Sequence, residues 1–561
     1  MNKKWEVYEK DEKRIAEIQE KFGISKLLAT ILSNKELKND NEIEIFLNPT
    51  REDFHDPYLM PDMEVAVNRI INAIKNKEKI IIYGDYDVDG ITSISVLKKY
   101  LEDRGVYVDE YIPNRLDEGY GLNKKAIDKI VEKKYKLMIT VDCGISGIEE
   151  IEYANKLGLE TIVTDHHEPT DVLPKALAVV DAKRKDNKYP FNQLAGVGVV
   201  FKLIQAINMK YNLSQKEYLK YLDLVCIGTI SDIVPLVDEN RVIAKLGLKL
   251  VEVTKNIGLK ALLNMVGCKK IDSSVISFGV APRINASGRM GFARDALQLF
   301  LTNNINEAIE ISKKLNEYNI QRQETEKRIF QEVLEKIEKT EKDKTCIILG
   351  NENWHHGVIG IVASKITEMY YKPSILICYE GNEGKGSGRS IPGFDLYEAL
   401  SRCNNNVEKF GGHSMAIGIG VNKDKFENFK NDLETYAENA NIKDFVPIIK
   451  IDNEINAKDM QIKIVEDLDM LEPFGEANKM PLFMYRNLKI NSIRALSDGK
   501  HLKLTLKDEN LIMNAIGFNM GNLNNEYLLG DKVDVVASLE INRFNGKKEV
   551  QLNIKDIRKS Y

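Results

Sequence analysis

The chain has 561 residues, 43% hydrophobic and 29% charged. This globular composition excludes a disordered protein and, at about 100–200 residues per domain, predicts three or four domains. The formal net charge of −5 excludes a uniformly basic coat, yet residues 481–561 carry 13 Lys/Arg against 9 Asp/Glu, giving them +4 and leaving −9 for the remainder.

No apolar run approaches the length of about 18 residues that a membrane span needs. The start, Met1–Glu6, holds no signal-peptide stretch. The six cysteines (143, 226, 268, 346, 378 and 403) form no CxxC pair. Together these features predict a cytoplasmic protein with reduced, mostly buried thiols and no membrane contact.

Residues 1–50 read as a polar, helical N-terminal arm. From about 70 to 235, apolar runs alternate with amphipathic stretches. Strands are predicted at Lys79–Tyr83, Val106–Ile112, Leu137–Val141, Thr161–Thr164 and Leu177–Val180, with helices such as Lys124–Lys134 and Ile148–Leu157 between them. The alternation predicts an α/β domain with a doubly wound parallel sheet over residues 51–235.

Residues 236–343 read as helical and end in a long connecting helix, Asn304–Lys342. Ala308, Ile311, Leu315, Ile329, Val333 and Ile337 recur there at helical spacing on an otherwise charged surface, the pattern of an interdomain strut. A second α/β domain, 344–445, opens with Thr345–Gly350. From 446 to 561, Leu502, Leu504 and Leu506 alternate with polar residues, as do Val550, Leu552 and Ile554 after a Phe544-Asn545-Gly546 turn. Short alternating strands predict an OB-like β-barrel that tracks a single strand of nucleic acid.

The chemistry is concentrated where apolar runs end in acids. Ile80–Gly84 leads into Asp85-Tyr86-Asp87-Val88-Asp89-Gly90, Leu137–Val141 into Asp142-Cys143-Gly144, and Thr161–Thr164 into Asp165-His166-His167-Glu168. A fourth acid, Asp232, follows the apolar stretch Leu224–Ile230. Such runs read as strands delivering ligands to the carboxyl edge of a parallel sheet, where open α/β folds build their sites. Any one of these acids is as readily a helix N-cap; the set points to a metal centre.

Asp and His without thiolates suit Mn²⁺ or Mg²⁺. Two such ions can activate a water and clamp a phosphodiester, and they return about four positive charges to the acidic half of the chain. Of the adjacent histidines, His166 reads as a ligand and His167 as the group facing the substrate.

These motifs resemble those of the DHH phosphoesterases, named for the run matched by Asp165-His166-His167. Within that family they are most similar to the bacterial single-strand-specific exonucleases. Tyr83–Gly90, Pro113-Asn114-Arg115 with Glu118–Leu122, Val141–Gly144, Gly228–Leu236, Ala281–Met290, Trp354–Gly360, Gly411-Gly412-His413 and Leu471–Gly475 carry the resemblance over about residues 45–561. It implies a metal-dependent 5′→3′ exonuclease of DNA repair and recombination. In it Asp87 and Asp89 bind metal, Asp142 bridges two ions, and His166 and Asp232 complete the second. His167 stands near the scissile phosphate, and Asp85 is a further metal ligand that matches the family's pattern only loosely. It also implies single-stranded DNA, a RecQ-type helicase and a single-strand-binding protein as partners of a monomeric chain.

Substrate contacts are expected from Gly384–Ser390, read as a flexible basic loop in which Ser387, Arg389 and Ser390 cradle a phosphate. Arg115, Arg283, Asn285, Arg289, His355, Gly411, Gly412 and His413 are expected to join them. Tyr120, between two glycines, has room to stack on a base. Two rivals stand beside this reading: a small-substrate phosphodiesterase of the same family, acting on oligonucleotides or cyclic dinucleotides, and a catalytically dead nucleic-acid-binding subunit.

Overall fold

The computed structural model describes residues 3–115, 118–509, 511–544 and 547–560. The chain divides into two compact units, Phe54–Val234 with Leu246–Val446, and Met1–Asp53 with Pro235–Lys245 and Pro447–Tyr561.

The larger unit holds two sheets. The first has five parallel strands in the order Val108–Tyr111, Ile80–Gly84, Leu137–Val141, Glu160–Thr164 and Ala178–Val180. Ile80–Gly84 and Leu137–Val141 are buried along their whole length, which is why their sequences run apolar without alternation. Helices Lys124–Glu132 and Ile148–Lys156 supply side chains that pack with Ile81, Tyr83 and Met138 on one face. On the other face Gly84 lies against Ile94 of helix Val88–Glu102. The sheet is therefore wound on both sides. Its strand order reverses between Ile80–Gly84 and Leu137–Val141, which creates a crevice at the carboxyl edge. Gly84 pairs with Val141 and Val141 with Thr164, so residues 85, 142 and 165 leave the sheet in one row.

The long helix Ile305–Lys336 starts at Asn304, whose side chain accepts from the Asn306 and Glu307 amides. It is not only a solvated strut. Ile329 and Val333, with Ile337 just beyond, enter a core with Trp354, Val358 and Leu376 of the second α/β domain, while Ala308, Ile311 and Leu315 are buried nearer its start.

The second sheet runs Lys409–His413, Ala416–Gly420, Glu383–Arg389, Ser374–Glu380 and Ile347–Asn351. Only its last pair is parallel. The expected flexible loop Gly384–Ser390 is a correction. All but its last residue lie in a central strand paired on both sides, with Gly388 opposite Ile375 and Ile417. Its glycines occupy the packed face: a Cβ on Gly384 would sit 2.4 Å from the Val421 carbonyl oxygen, and one on Gly386 2.7 Å from Ile419. Alternation with Lys385, Ser387 and Arg389 is thus strand periodicity, with glycine where a hydrophobe normally stands.

In the smaller unit, strands Phe483–Leu496, His501–Asp508, Leu511–Gly517, Lys547–Lys559 and Lys532–Phe544 close into a barrel. Leu502, Leu504, Leu506, Leu552 and Ile554 fill it, as the alternation predicts, whereas Val550 packs half-buried against the core. Of the expected Phe544-Asn545-Gly546 turn, Asn545 and Gly546 lie outside the described residues.

The N-terminal segment is helical over Glu12–Phe22, Lys26–Ser33 and Asp40–Leu47, but it is not a separate arm. Lys4–Val7 pairs with Ile448–Ile451, and Ile15, Leu28 and Phe46 share one core with the barrel. The alternation of charge with single hydrophobes hid a face that a distant segment covers.

Arg241 is buried in this unit and stacks on Phe46 at 3.6 Å. It donates to the Phe46, Leu471, Met470 and Glu472 carbonyls. All six cysteines are free, five buried and Cys268 half-buried. Among the described residues, no helix is long and apolar enough to cross a membrane.

Arg241→Leu should remove a donor from each of those carbonyls, of which Met470 keeps Lys245 and Leu471 keeps Asn478, and destabilise the smaller unit by about 2–4 kcal/mol. A thermal melt followed by Trp5 fluorescence checks this; an unchanged midpoint contradicts it.

Candidate metal centre

Asp85 follows the first strand directly. Asp87 is the N-cap of helix Val88–Glu102 and accepts from the Gly90 amide at 3.0 Å. It therefore does serve as an N-cap, and its second oxygen is left for other work. Asp89 sits in the first turn of that helix. Both its oxygens receive main-chain amides from the N-terminus of helix Gly196–Lys210, Gly196 at 2.6 Å and Val197 at 2.8 Å. Gly90 cannot carry a side chain, since a Cβ there would lie 2.5 Å from the Asp85 carbonyl oxygen.

Asp142 adopts φ +57°, in the left-handed region, one residue past its strand. Asp232 corrects the expectation of strand delivery: it is the C-cap of helix Leu222–Ser231. The apolar stretch Leu224–Ile230 is buried on every side and has no period by which a strand and a buried helix can be told apart.

These elements bring the groups together. The His166 Nε2 lies 3.1 Å from an Asp142 oxygen, 3.7 Å from Asp232 and 3.8 Å from Asp89. Ligand atoms of Asp89, His166 and Asp232, of Asp85, Asp87 and Asp142, and of Asp142, His166 and His167 each gather within 4.8 Å. Asp142 thus belongs to two groups on either side of it.

Burial, with the charges of neighbouring acids, pushes Asp85, Asp142 and Asp232 well above the usual carboxylate range and Asp89 to about 7. Burial and the charge of His167 push His166 down to about 3, so it is a neutral imidazole. The buried His166 Nε2 and one Asp85 oxygen have no hydrogen-bond partner. Unpaired buried acids and an orphaned imidazole nitrogen are the donor set of hard divalent cations, and this arrangement fits them.

His167 differs from its neighbour. Its Nδ1 lies 2.7 Å from Asp165, whose carboxylate also accepts the Ile145, His166 and His167 amides. Burial opposes charge at both groups, yet their pairing holds Asp165 below its ordinary range and lifts His167 to about 9. Sequence reasoning gave Asp165 no task; its burial behind His167 was not visible there. It also passed over Gly196, where a Cβ would lie 2.7 Å from an Asp142 oxygen, and Gly228, where one would lie 3.1 Å from an Asp89 oxygen.

A cationic group stands nearby. Arg115 lies over the Tyr86 ring at 4.9 Å. Arg289 is depressed to about 10 by burial and then by the charges of Arg115, Arg322 and Arg389. Arg289 donates to the Gly357 carbonyl. Arg389 donates to Ser364, Ser387 and the Gly388 carbonyl. Among the described residues neither has an ion-pair partner, so their charge is not neutralised. His413 pairs across Ala416 with Arg389, and Gly411 across Gly418 with Ser387. Gly411 and His413 therefore share the row of the cationic residues on an exposed edge strand, whereas Gly412 is in register with Gly388 on the other face.

Other expected contacts are taken up by the scaffold. Arg283 donates to Asn316 and the Gly279 carbonyl, and Ser390 to the Phe394 carbonyl. His355 caps helix His356–Tyr370 by accepting the Gly357 amide. Asn285 accepts the Val88 amide, tying the helix that carries Arg289 to the acidic loop.

Comparison with known proteins agrees with this geometry. Residues 79–229 match the DHH family, N-terminal domain; residues 342–439 match the DHHA1 domain; residues 451–556 match the RecJ OB domain. The chain is 37% identical over 559 residues to the single-stranded-DNA-specific exonuclease RecJ of Bacillus subtilis, covering 99% of this chain and 70% of that one. The crystal structure of RecJ from Thermus thermophilus in complex with Mn²⁺ superposes with a TM-score of 0.87 at 28% identity, covering 100% of this chain and 80% of that one. Its complex with Mg²⁺ gives 0.81 at 27% identity, covering 100% and 79%.

Gly196→Ala should displace the Asp142 carboxylate and weaken Mn²⁺ binding about tenfold or more without unfolding the chain. Calorimetric titration checks this; wild-type affinity contradicts it.

Proposed function

The chain belongs to the family of RecJ single-stranded-DNA-specific exonucleases, and from that membership we propose how its residues carry out the reaction. It is a single-stranded-DNA-specific exonuclease that uses Mn²⁺ or Mg²⁺. Its likeness to whole RecJ chains, barrel included, weighs against the small-substrate reading.

The observation that carries the assignment is the convergence of Asp85, Asp87, Asp89, Asp142, His166 and Asp232 at the reversal point of the first sheet. Asp87 and Asp142, with Asp85 beside them, hold one ion. Asp89, His166 and Asp232 hold the other, with Asp142 shared. When bound, the ions supply charge that acidifies water and neutralises phosphate oxygens.

The chain's own residues do the rest. His167, a cation at neutral pH, presents Nε2 to a non-bridging oxygen or the leaving group and donates a proton there. Asp165 keeps the ring charged and oriented. Arg115, Arg289 and Arg389, with Ser387, bind the 5′-terminal phosphate; guanidinium groups match its several oxygens in a fork. Anchoring that end sets 5′→3′ polarity, because the next phosphodiester then falls over the acids. Arg283, Ser390 and His355 position the fold rather than the substrate. His413 lies in line to meet the strand beyond the first nucleotide. Family membership supports a role in DNA repair and recombination, in the cytoplasm, with a RecQ-type helicase and a single-strand-binding protein as partners.

Asp142→Ala should abolish turnover and lower bound Mn²⁺ while the melting curve stays intact. Activity above about a few percent of wild type in saturating Mn²⁺ would remove the shared-ligand role.

Arg389→Ala and Arg289→Ala should each reduce the preference for 5′-phosphorylated over 5′-hydroxyl oligonucleotides about tenfold or more. Time courses on 5′-labelled and 3′-labelled strands measure this. Full preference in both variants moves the phosphate pocket elsewhere, and digestion from the 3′ end overturns the polarity.

A further inference from the structure

We infer that Tyr120 is a positioning residue for His167, acting through its hydroxyl, rather than the base-stacking platform that its place between two glycines suggests. This rests on the role proposed above for His167.

Gly119 and Gly121 adopt φ +81° and +85°, conformations that side chains rarely take. They place Tyr120 at the tip of the segment that follows Arg115. The Tyr120 hydroxyl lies 3.2 Å from the Asp142 carbonyl oxygen, and 3.2 Å from Nδ1 and 3.5 Å from Nε2 of His167. The two rings meet edge to face, 5.7 Å apart.

The direction of each hydrogen bond follows from the partners. Asp165 accepts three amides as well as Nδ1, an environment that only an ionised carboxylate satisfies. An ionised carboxylate cannot donate, so Nδ1 carries the hydrogen. The single Nδ1 hydrogen goes to Asp165 at 2.7 Å. The Tyr120 oxygen, nearly equidistant from both ring nitrogens, packs against the imidazole ring, and its own hydrogen goes to the Asp142 carbonyl. Asp165 at Nδ1 and the Tyr120 oxygen against the ring together hold the plane in which Nε2 meets the substrate. The same hydroxyl links the residue proposed to donate the proton to the residue proposed to share the ions. Serving as a base platform needs only the ring; this network needs the oxygen, and the two readings separate on that atom.

The test is a double-mutant cycle on the full chain with Mn²⁺ and a labelled single strand. Tyr120→Phe removes the hydroxyl and keeps the ring. It should lower kcat about tenfold, the cost of losing the contact that holds the ring in its plane. KM should stay within about twofold and calorimetric Mn²⁺ affinity should not change, because the hydroxyl touches no ligand atom. In a His167→Ala background, Tyr120→Phe should cost nothing further.

A loss of equal size in both backgrounds overturns the inference, because Tyr120 would then act independently of His167. A Tyr120→Phe variant with wild-type kcat, paired with Tyr120→Ala that raises KM, overturns it in favour of the base platform. Weakened Mn²⁺ binding in Tyr120→Phe overturns it in favour of a route through the Asp142 main chain. If His167→Ala itself kept full kcat, the role proposed for His167 would fall, and this inference with it. Melting curves confirm that each variant is folded.

Discussion

Four carboxylates raised above their ordinary range are crowded with Asp87 at one sheet edge, and the rest of the larger unit is arranged around that repulsion. Burial alone favours the neutral acid, and each neighbour adds to the cost of ionisation. The fold offsets part of this cost with main-chain dipoles: the amides at the start of helix Gly196–Lys210 hold Asp89, and the Gly90 amide holds Asp87. The remainder falls to divalent cations. The constraint reaches into the backbone as well, since Gly196 has no room for a methyl group beside Asp142.

Two neighbouring histidines divide the chemistry by environment. His166 faces the acids with Nε2 unpartnered and is kept neutral by burial; His167 is backed by Asp165 and kept charged. A ligand must offer a lone pair and an acid must carry a proton, so adjacent identical side chains can serve opposite ends of one hydrolysis. Asp165, which names the motif's first position, is paired to His167 and, among the described residues, forms no other ion pair.

The second α/β domain contributes cations rather than carboxylates. Its central strand alternates glycine with Lys385, Ser387 and Arg389, so the basic side chains share one face while the other packs flat against Ile377, Ile417 and Ile419. A strand holds Arg389 more rigidly than the loop expected there, and rigidity suits recognition of a terminal phosphate. Arg289 is carried by a helix whose Asn285 is bonded to the acidic loop.

The chain by itself determined the parallel sheet, the long helix, the barrel and the acids that gather at the sheet edge. Each is written in local periodicity: unbroken apolar runs for doubly covered strands, alternation for barrel strands, and carboxylates at the point where a run stops. Asp87, Asp89, Asp142 and His166 were legible because a parallel sheet carries whatever follows its strands to one edge.

Tertiary structure decided what local pattern cannot encode. Gly384–Ser390 reads as a loop until its neighbours show why glycine is needed in a packed strand. Asp232 reads as a strand end because a fully buried helix has no period. Lys4–Val7 and Arg241 acquire partners more than 190 residues away, at Ile448–Ile451 and at Phe46. Ser390 and Arg283 spend their donors on the main chain or on Asn316. Which donor meets which acceptor is set by three-dimensional proximity, and only the folded chain specifies it.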